Sequence, residues 1–330
     1  MEARKVKWGI LGTGWIARKL GDALKVVADA EIYAVGSRNM ETAQRFADEF
    51  NIPKAYGSYE DLVNDPEVDV IYVATPHNLH LTNTLLALDH GKHVLCEKPM
   101  GVNRKEVTAM IEKAKEKNLF LMEAMWSRFL PNILKTKELV ESGAIGEVKL
   151  LTASFCIQSS PEQQYRHLYL EPCGGTTLDI GIYNIFLSLF LLGEPSAITA
   201  SAGINEQGCD TNSNYAFRYA NDTLAVMYSS FLAESPVEAE IHGTKGKISL
   251  EHLWFCPGKV TLKLNESDEQ IFDFDVKANG YEFEVEEVVA CLKAGKIQSD
   301  LWSWADSLQL VDMMDKIRQQ CGIVYPNHDI

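Results

Sequence analysis

The first third of the chain alternates continuous apolar runs with amphipathic segments. Continuous apolar runs are typical of parallel strands that are covered on both faces. They occupy residues 6–11, 32–35, 70–74 and 93–96. Helical patterns follow them at about residues 15–27, 41–50, 79–89 and 104–117. Repeated strand–helix units of this length predict an α/β fold with a right-handed, doubly wound parallel sheet.

The pattern changes beyond about residue 123. Helical patterns occur at about residues 131–142, 176–192, 281–292 and 302–321. A strand is predicted at 148–158, and alternating runs meet at hairpin-like turns at 220–222 and 243–246. We therefore expect two domains, residues 1–123 and 124–330. The second domain is predicted to be α+β with a large, mostly antiparallel open sheet. Its last helix could pack against the first domain.

Composition and charge exclude several classes of protein. The 330 residues include 31 Lys+Arg and 46 Asp+Glu, a net charge of −15, which argues against binding to a nucleic-acid backbone. The longest apolar stretch, 185–192, is far shorter than the ~20 residues that span a bilayer. Seven scattered cysteines form no CxxC pair, and the residues at 1–12 do not have the pattern of a secretory signal, so we expect none. We expect reduced thiols, a cytoplasmic location, no membrane partner and no bound metal ion.

A glycine-rich turn follows the first predicted strand. Gly12-x-Gly14-x-x-Ala17 joins that strand to a helix, where small residues allow a tight turn and close approach of a pyrophosphate. The helix N-terminus offers N–H groups to the phosphates. The pattern favours a dinucleotide site over a purely structural glycine turn. The residues predicted to contact the cofactor there are Gly12, Thr13, Gly14, Trp15 and Ile16.

The tip of the second predicted strand indicates which dinucleotide is bound. NAD sites usually carry a carboxylate at this position, but the chain has Ser37-Arg38. A guanidinium suits a 2′-phosphate, and a hydroxyl can add a hydrogen bond. We therefore predict a preference for NADP, with NAD still possible. The alternative is a solvated loop arginine.

Polar residues follow the next two strands and could contact the nicotinamide end of the cofactor. In open α/β sheets, ligands bind at the carboxyl ends of strands. The predicted contacts after the third strand are Thr75, Pro76, Asn78 and His80, with His77 less favoured. Either histidine could instead be a helix-start or surface residue. Glu97 and Lys98 end the fourth strand, and Lys98 precedes a proline that would fix its direction.

Candidate proton-transfer groups lie further along the chain. Asp179 and Tyr183 are four residues apart, so that on a helix they share one face. A capping aspartate beside a core tyrosine is the alternative interpretation. Trp126 and Arg128 follow the predicted domain boundary. They could stack on the cofactor or anchor a polyol, and interdomain packing is an equally good explanation.

These motifs, in this order, resemble the glucose-fructose oxidoreductase/inositol dehydrogenase (GFO/IDH/MocA) family. The likeness extends to the closing segment at 322–326, and the Glu97-Lys98-Pro99 motif is highly specific. Many members have histidine where this chain has Tyr183. Tyrosine there, with the segment at 121–129, is similar to the branch of dimeric dihydrodiol dehydrogenase and NADP-dependent D-xylose dehydrogenase. Two departures are Ala17 for the third glycine and Ser127 where threonine is frequent.

The resemblance implies roles for the candidate residues. Tyr183 would be the general acid/base, Lys98 its electrostatic helper, and Asp179 would hold the substrate hydroxyl or orient these groups. It also implies a cis Lys98–Pro99 bond and a homodimer or dimer of dimers through the open sheet. We expect an NADP-preferring oxidoreductase acting on a sugar, polyol or cyclic diol. The alternative is a dinucleotide-sensing regulatory protein, which would be expected to lose these groups.

Overall fold

The chain folds into two units in this computed structural model, which describes residues 4–329. One unit comprises Met1–Trp126 and Val276–Leu308, and the other comprises Ser127–Asp275 and Gln309–Ile330. Among the residues that the structure describes, no helix combines the length and apolar character needed to cross a membrane.

The first unit contains a six-stranded sheet in which every pair of neighbours is parallel. Its strand order is β3-β2-β1-β4-β5-β6. The strands are β1 (Val6–Leu11), β2 (Ala30–Gly36), β3 (Lys54–Tyr56), β4 (Val70–Val73), β5 (His93–Glu97) and β6 (Leu121–Ala124). This order has its switch point beside β1, so the predicted doubly wound parallel sheet is confirmed.

The second unit contains an eight-stranded sheet with the order β14-β13-β12-β11-β7-β10-β9-β8. Only β7 and β10 run parallel among its described pairs, so the predicted mostly antiparallel sheet is also confirmed. The strands are β7 (Val148–Cys156), β8 (Ala197–Ile204), β9 (Asp210–Arg218), β10 (Leu224–Ser230), β11 (Ala239–Gly243), β12 (Gly246–Leu250), β13 (Val260–Leu264) and β14 (Glu269–Phe272).

The helices cover the sheets and position the loops at their edges. They are α1 (Trp15–Leu24), α2 (Met40–Phe50), α3 (Tyr59–Asn64), α4 (His80–Asp89), α5 (Arg104–Lys117), α6 (Pro131–Glu141), α7 (Gln164–Leu168), α8 (Ile182–Leu192), α9 (Glu282–Lys293), α10 (Trp304–Cys321) and α11 (Pro326–Asp329). Short 3₁₀ turns lie at His77–Leu79 and Trp126–Phe129.

Residues 276–308, which the sequence analysis assigned to the second domain, belong to the first unit. Within that unit α9 contacts α1. The Trp304 indole donates to the carbonyl of Leu121 at 2.9 Å, and the Trp302 indole donates to Glu123 at 3.1 Å. These contacts join segments about 180 positions apart, which no local sequence pattern indicates.

A π-helical turn, Thr177–Gly181, leads directly into α8. One oxygen of the buried Asp210 carboxylate anchors this turn. It accepts hydrogen bonds from the Thr176 hydroxyl at 2.8 Å, the Thr177 N–H and hydroxyl at 2.7 Å each, and the Ser213 hydroxyl at 2.8 Å. π turns inside helices frequently occur at functional sites. Asp179 lies within this turn, and Tyr183 lies in the first turn of α8.

Candidate functional site

The glycine turn after β1 has the shape that a pyrophosphate requires. Gly12 has a φ of +107°, and a Cβ on it would lie 2.7 Å from the Ala74 carbonyl oxygen. By contrast, a Cβ on Gly14 would meet no atom within 4 Å. Ala17 is fully buried, so the small third residue does allow close helix packing. The turn is therefore tight at its first glycine and open at its second, which fits an approaching phosphate.

The N-terminus of α1 leaves its positive end available to an anion. Gly14 is its N-cap, and no side chain caps the helix or adds an acidic group to its first turn. Arg18 donates to the carbonyls of Thr13 and Gly14, at 2.8 and 3.2 Å. Thr13 and Ile16 are half-buried, whereas Trp15 is 65% exposed. An uncapped helix N-terminus behind a glycine turn is a favourable phosphate site.

Ser37 and Arg38 lie at the carboxyl end of β2, as the sequence predicted. The Ser37 N–H donates to the Tyr56 carbonyl at 3.1 Å, and its side chain is nearly buried. Arg38 is exposed. Burial raises the pKa of Tyr59, and the nearby charge of Arg38 opposes that rise. Arg38 lies at the strand end where the adenosine ribose is held in folds of this type.

The loop after β4 combines structural bonds with one unsatisfied polar atom. The His80 ring nitrogens lie 2.8 and 2.9 Å from the carbonyl oxygens of Pro99 and Thr75. Asn83 donates to the Thr75 hydroxyl at 3.1 Å. The Asn78 carbonyl oxygen is buried and has no hydrogen-bond partner within the described part of the chain. His80 thus joins two loops, and Asn78 keeps an acceptor that a ligand can use.

The Glu97-Lys98-Pro99 segment begins at the last residue of β5, and the Lys98–Pro99 bond is cis, as the resemblance implied. The buried Tyr72 hydroxyl donates to Glu97, and the Lys98 N–H donates to the same carboxylate at 3.2 Å. The Lys98 side chain is buried, with 8% of its surface exposed. Strand pairing and these bonds fix the backbone from which the ammonium projects.

Two further buried carboxyls lie in the same unit, and sequence reasoning missed both. Burial raises the pKa of Glu123, although hydrogen bonds from the Met100 N–H and the Trp302 indole, together with the Lys98 charge, oppose this rise. Burial, and then the charge of Glu97, raise the pKa of Glu284 far above its ordinary value. Glu284 lies on α9, more than 180 positions from Glu97, so only the fold brings them close.

In the second unit, Asp179 is held by two side chains of α7. An Arg166 Nη2 donates to Asp179 Oδ1 at 2.9 Å, and His167 Nε2 lies 3.5 Å from Oδ2. The Asp179 side chain is 5% exposed. The N-cap residue of this turn, Thr176, forms no side-chain cap. The proton-transfer role of Asp179 stays a prediction. Sequence analysis did not single out Arg166 or His167.

Tyr183 is buried against two aromatic rings. Its ring centroid lies 5.7 Å from that of Phe155 and 5.0 Å from that of Phe255. Those two rings stack on each other at 4.1 Å. The apolar pocket holds the phenol in one orientation. Phe155 was within a predicted strand, but nothing in the sequence connected it with Tyr183.

Trp126 and Arg128 each pack on an aromatic ring of their own unit. Trp126 stacks on Tyr281 at 4.2 Å, with the rings nearly parallel. The Arg128 guanidinium lies over the Phe190 ring, 4.4 Å from its centroid. These contacts favour a packing role for both side chains, and their predicted contact with a cofactor stays a prediction.

Two family models match the chain. Residues 6–125 match an oxidoreductase family with an NAD-binding Rossmann fold, and residues 133–249 match the C-terminal domain of the same GFO/IDH/MocA family. The chain is 40% identical to trans-1,2-dihydrobenzene-1,2-diol dehydrogenase of Danio rerio, covering 97% of this chain and 98% of that one. It is 37% identical to the Xenopus tropicalis protein of the same name, covering 97% and 99%.

Solved structures share the fold. KijD10, a 3-ketoreductase from Actinomadura kijaniata in complex with NADP and TDP-benzene, gives a TM-score of 0.88 at 24% identity, covering 96% of this chain and 98% of that one. The aldose-aldose oxidoreductase of Caulobacter crescentus, complexed with glycerol, gives 0.87 at 23% identity, covering 97% and 98%. At such identities these likenesses establish the fold. With the two family models and the full-length relatives, they make this chain a member of the GFO/IDH/MocA family of oxidoreductases.

Proposed function

We propose that the protein is an NADP-preferring oxidoreductase that acts on a sugar, a polyol or a cyclic diol. Dependence on NAD or NADP follows from its family, and the finer preference and the substrate class are our proposal. The observation that carries it is the open turn at Gly14, in front of an α1 N-terminus that no side chain caps. The diol dehydrogenase names of its full-length relatives support a diol or sugar substrate.

The cofactor would lie along the carboxyl edge of the parallel sheet. Gly12 to Ile16 would hold the pyrophosphate, and Ser37 with Arg38 would bind the 2′-phosphate. Thr75, Pro76, Asn78, His80, Glu97 and Lys98 would line the nicotinamide end. The unsatisfied Asn78 oxygen supports this assignment, because it is an acceptor suited to an N–H or O–H of the cofactor. When bound, the nicotinamide accepts or donates the hydride.

Tyr183, Lys98 and Asp179 would perform the proton transfer. In the oxidation direction the Tyr183 oxygen takes the proton of the substrate hydroxyl while the carbinol carbon loses its hydride. An unperturbed phenol has a pKa of about 10, so a neighbouring cation is needed for base chemistry at neutral pH. Lys98 would supply that charge, and Asp179 would accept a hydrogen bond from a substrate hydroxyl. Reduction uses the same groups in reverse.

Titration of the purified protein with NADPH and NADH tests the cofactor assignment. We expect Arg38→Ala to weaken NADPH binding about tenfold or more, because one charged contact to a phosphate is lost, and to leave NADH binding unchanged. Lys117→Ala, which removes an exposed cation from the last turn of α5, is the control. Equal weakening of both dinucleotides would refute the role of Arg38. If neither binds, the dinucleotide site itself is refuted, and tight binding without turnover on any aldose or diol would favour the regulatory alternative.

We also propose a homodimer, or a dimer of dimers, formed through the open face of the eight-stranded sheet. Leu224, Val226 and Tyr228 alternate along β10, and each is 45–46% exposed on that face. An apolar stripe of this kind indicates an interaction surface. Val226→Lys should give a monomer by light scattering, whereas Leu134→Lys, at an exposed leucine of α6, should not. A wild-type monomer would refute this proposal.

A cytoplasmic location completes the proposal. Cys96, Cys156, Cys209, Cys291 and Cys321 carry free thiols, as expected in a reducing compartment. This location can be tested by expressing the full chain with a fluorescent tag in its native cells and fractionating them. Recovery in a membrane or secreted fraction would refute a cytoplasmic location.

A further inference from the structure

Arg18 folds back from the start of α1 onto the glycine turn that precedes this helix. Its Nη1 donates to the Thr13 carbonyl at 2.8 Å and to the Gly14 carbonyl at 3.2 Å. Helix side chains point toward the helix N-terminus, which lets Arg18 reach carbonyls four and five positions earlier. Arg18 thus contacts the backbone of the turn in front of which we place the pyrophosphate.

These two bonds constrain the N–H groups that share the same peptide units. A trans peptide is planar, so its C=O and N–H point in opposite directions. The Thr13 carbonyl shares its peptide with the Gly14 N–H, and the Gly14 carbonyl shares its peptide with the Trp15 N–H. Because Arg18 draws both carbonyls toward its guanidinium, it directs both N–H groups away from itself. N–H groups at the start of a helix have no acceptor within the helix, so these two are suited to an anion.

The Thr13 carbonyl depends on Arg18 more than the Gly14 carbonyl does. Gly14 is the N-cap of α1, so its carbonyl begins the hydrogen-bond ladder of the helix. The Thr13 carbonyl lies one residue before that ladder. Its bond to Arg18, the shorter of the two at 2.8 Å, therefore contributes most to the direction of the Gly14 N–H.

Two side chains of α2 hold the guanidinium in this position. The Arg18 Nε lies 3.0 and 3.1 Å from the two carboxylate oxygens of Glu49, and an Nη2 lies 3.0 Å from Oε2. The guanidinium carbon lies 5.2 Å from the ring centroid of Phe46, which is buried. All three guanidinium nitrogens thus have protein partners. The side chain is therefore suited to orient the turn rather than to bind the cofactor itself.

The contacts of Arg18 contribute little to the stability of the fold. The side chains of Arg18 and Glu49 are 37% and 42% exposed. Ion pairs at such exposure stabilise proteins only weakly, because water and salt screen them. Removing Arg18 should therefore release the glycine turn without unfolding the protein.

We propose that Arg18 is a positioning residue for the cofactor, which aims the backbone N–H groups of Gly14 and Trp15 at the pyrophosphate. The inference rests on the proposed function and adds to it a residue that acts through the backbone. NADP and NAD share the pyrophosphate, so Arg18 supports the binding of both. Arg38, by contrast, acts on the 2′-phosphate, which NAD lacks.

Dissociation constants for NADPH and NADH measure this role in the full-length protein. Arg18→Ala should raise both about five- to twentyfold, because two hydrogen bonds to charged phosphate oxygens lose their alignment. The ratio of the two constants should stay within about twofold of the wild-type ratio. Arg18→Lys keeps a cation near the same carbonyls but lacks the planar fork, so part of the affinity should return.

Lys25→Ala is the matched control, because Lys25 lies at the other end of α1 and has contacts of the same kind. Its ammonium lies 4.2 Å from the ring centroid of Phe50 on α2 and 3.7 Å from Asp22 Oδ1. The variant loses one half-exposed cation of this helix and should bind both dinucleotides as wild type does. Equal weakening in Lys25→Ala and Arg18→Ala would trace the effect to the charge of the helix and overturn the inference.

Glu49→Ala separates positioning from simple attraction between charges. If Arg18 acted only as a positive charge, removal of the neighbouring carboxylate would strengthen the attraction for phosphate and tighten binding. Positioning predicts the opposite, because the guanidinium loses its anchor on α2. We expect both dinucleotides to bind about two- to fivefold more weakly to this variant. Unchanged or tighter binding would overturn the inference.

Two fragments of the cofactor distinguish positioning from a general disturbance of the site. ADP-ribose contains the pyrophosphate, whereas adenosine 2′-monophosphate carries only the phosphate that we assign to Arg38. In competition with NADPH, Arg18→Ala should weaken ADP-ribose by the same factor as NADH and leave adenosine 2′-monophosphate unchanged. Equal weakening of the two fragments would make Arg18 merely structural and overturn the inference.

The inference and the proposed function fail in different ways. If wild type binds the dinucleotides and Arg18→Ala binds them equally well, the inference is overturned and the proposed function stands. If wild type binds neither dinucleotide, the proposed function fails first and the inference falls with it.

Discussion

Replacing Gly14 with alanine separates the cofactor site from the fold. The N-cap of α1 has a φ of −71°, which alanine adopts easily, and its Cβ would meet no atom within 4 Å. Alanine is a poorer N-cap than glycine and should lower stability by about 0.5–1 kcal/mol for this reason. It also reduces the conformational entropy of the unfolded chain, which should raise stability by about 0.4–1 kcal/mol. The two effects offset each other. Gly14→Ala should therefore fold with a free energy of unfolding within about 1 kcal/mol of wild type.

Binding should respond quite differently. The space beside Gly14 is where a pyrophosphate would approach the backbone, and a methyl group there would hold it away. We expect the dissociation constant for NADPH to rise at least tenfold, or about 1.4 kcal/mol. Calorimetric titration with NADPH measures this change, and thermal unfolding of the unliganded protein shows that the variant is folded.

Gly12→Ala is the matched comparison, because this substitution should destabilise the folded protein itself. Alanine at a φ of +107° is strained by about 1–3 kcal/mol, and its Cβ would lie 2.7 Å from the Ala74 carbonyl oxygen. The unliganded variant should melt about 1.5–4 °C below wild type. Two results would refute the reasoning: wild-type NADPH affinity in Gly14→Ala, or an unchanged melting temperature in Gly12→Ala.

Three further predictions concern buried polar groups. Asp210→Asn should weaken the charged hydrogen bonds to the π-helical turn by about 1–3 kcal/mol in total and so speed hydrogen exchange at the Thr177 amide. The control, Asp222→Asn, lies in an exposed turn and should leave that exchange unchanged. Equal exchange in the two variants would contradict this prediction. Burial lowers the pKa of His93, whose Nδ1 accepts a hydrogen bond from a backbone N–H. As pH falls below about 6.5, His93 therefore takes up a proton in the unfolded chain before it does so in the folded protein, and the free energy of unfolding should decrease. Unfolding by urea at about pH 7.5 and 5.5 should show a smaller drop in His93→Gln, and identical drops would refute it. Burial raises the pKa of Glu284, so its contribution to stability is present below about pH 4.3 and is lost as the pH rises through the higher pKa of the folded state. Glu284→Gln should therefore be at least as stable as wild type at about pH 8. A large destabilisation of this variant at that pH would contradict the prediction, because it would show that the fold requires the ionised carboxylate.

The parallel sheet could be predicted because its central strands are apolar throughout. β4 is wholly buried, and its sequence contains no charged residue that would suggest another structure. β3 was missed because it has three residues, all half-buried, at the sheet edge. α3 was missed although a local signal existed: the Ser58 hydroxyl accepts a hydrogen bond from the Asp61 N–H, a typical N-cap arrangement.

Part of the candidate site could also be predicted from the sequence, and part could not. The glycine turn and the strand-end residues could be located, since each is a local pattern at a strand terminus. Arg166 and His167 could not, because the segment around them has no periodicity and their contact with Asp179 spans 12–13 positions. The contribution of Glu284 depends on α9 joining the first unit, which is a property of the tertiary fold alone.

The most direct test of the proposed chemistry is the turnover of Tyr183→Phe. Phenylalanine keeps the packing against Phe155 and Phe255 and removes only the hydroxyl. Tyr219→Phe is the matched control, since Tyr219 is also buried in the second unit and its hydroxyl lies 3.4 Å from the Ser188 carbonyl. With NADP⁺ and the best alcohol found for wild type, Tyr183→Phe should lose about 10²–10⁴-fold in kcat and keep its NADPH affinity. Turnover like that of wild type would contradict the assignment of Tyr183 as the acid/base.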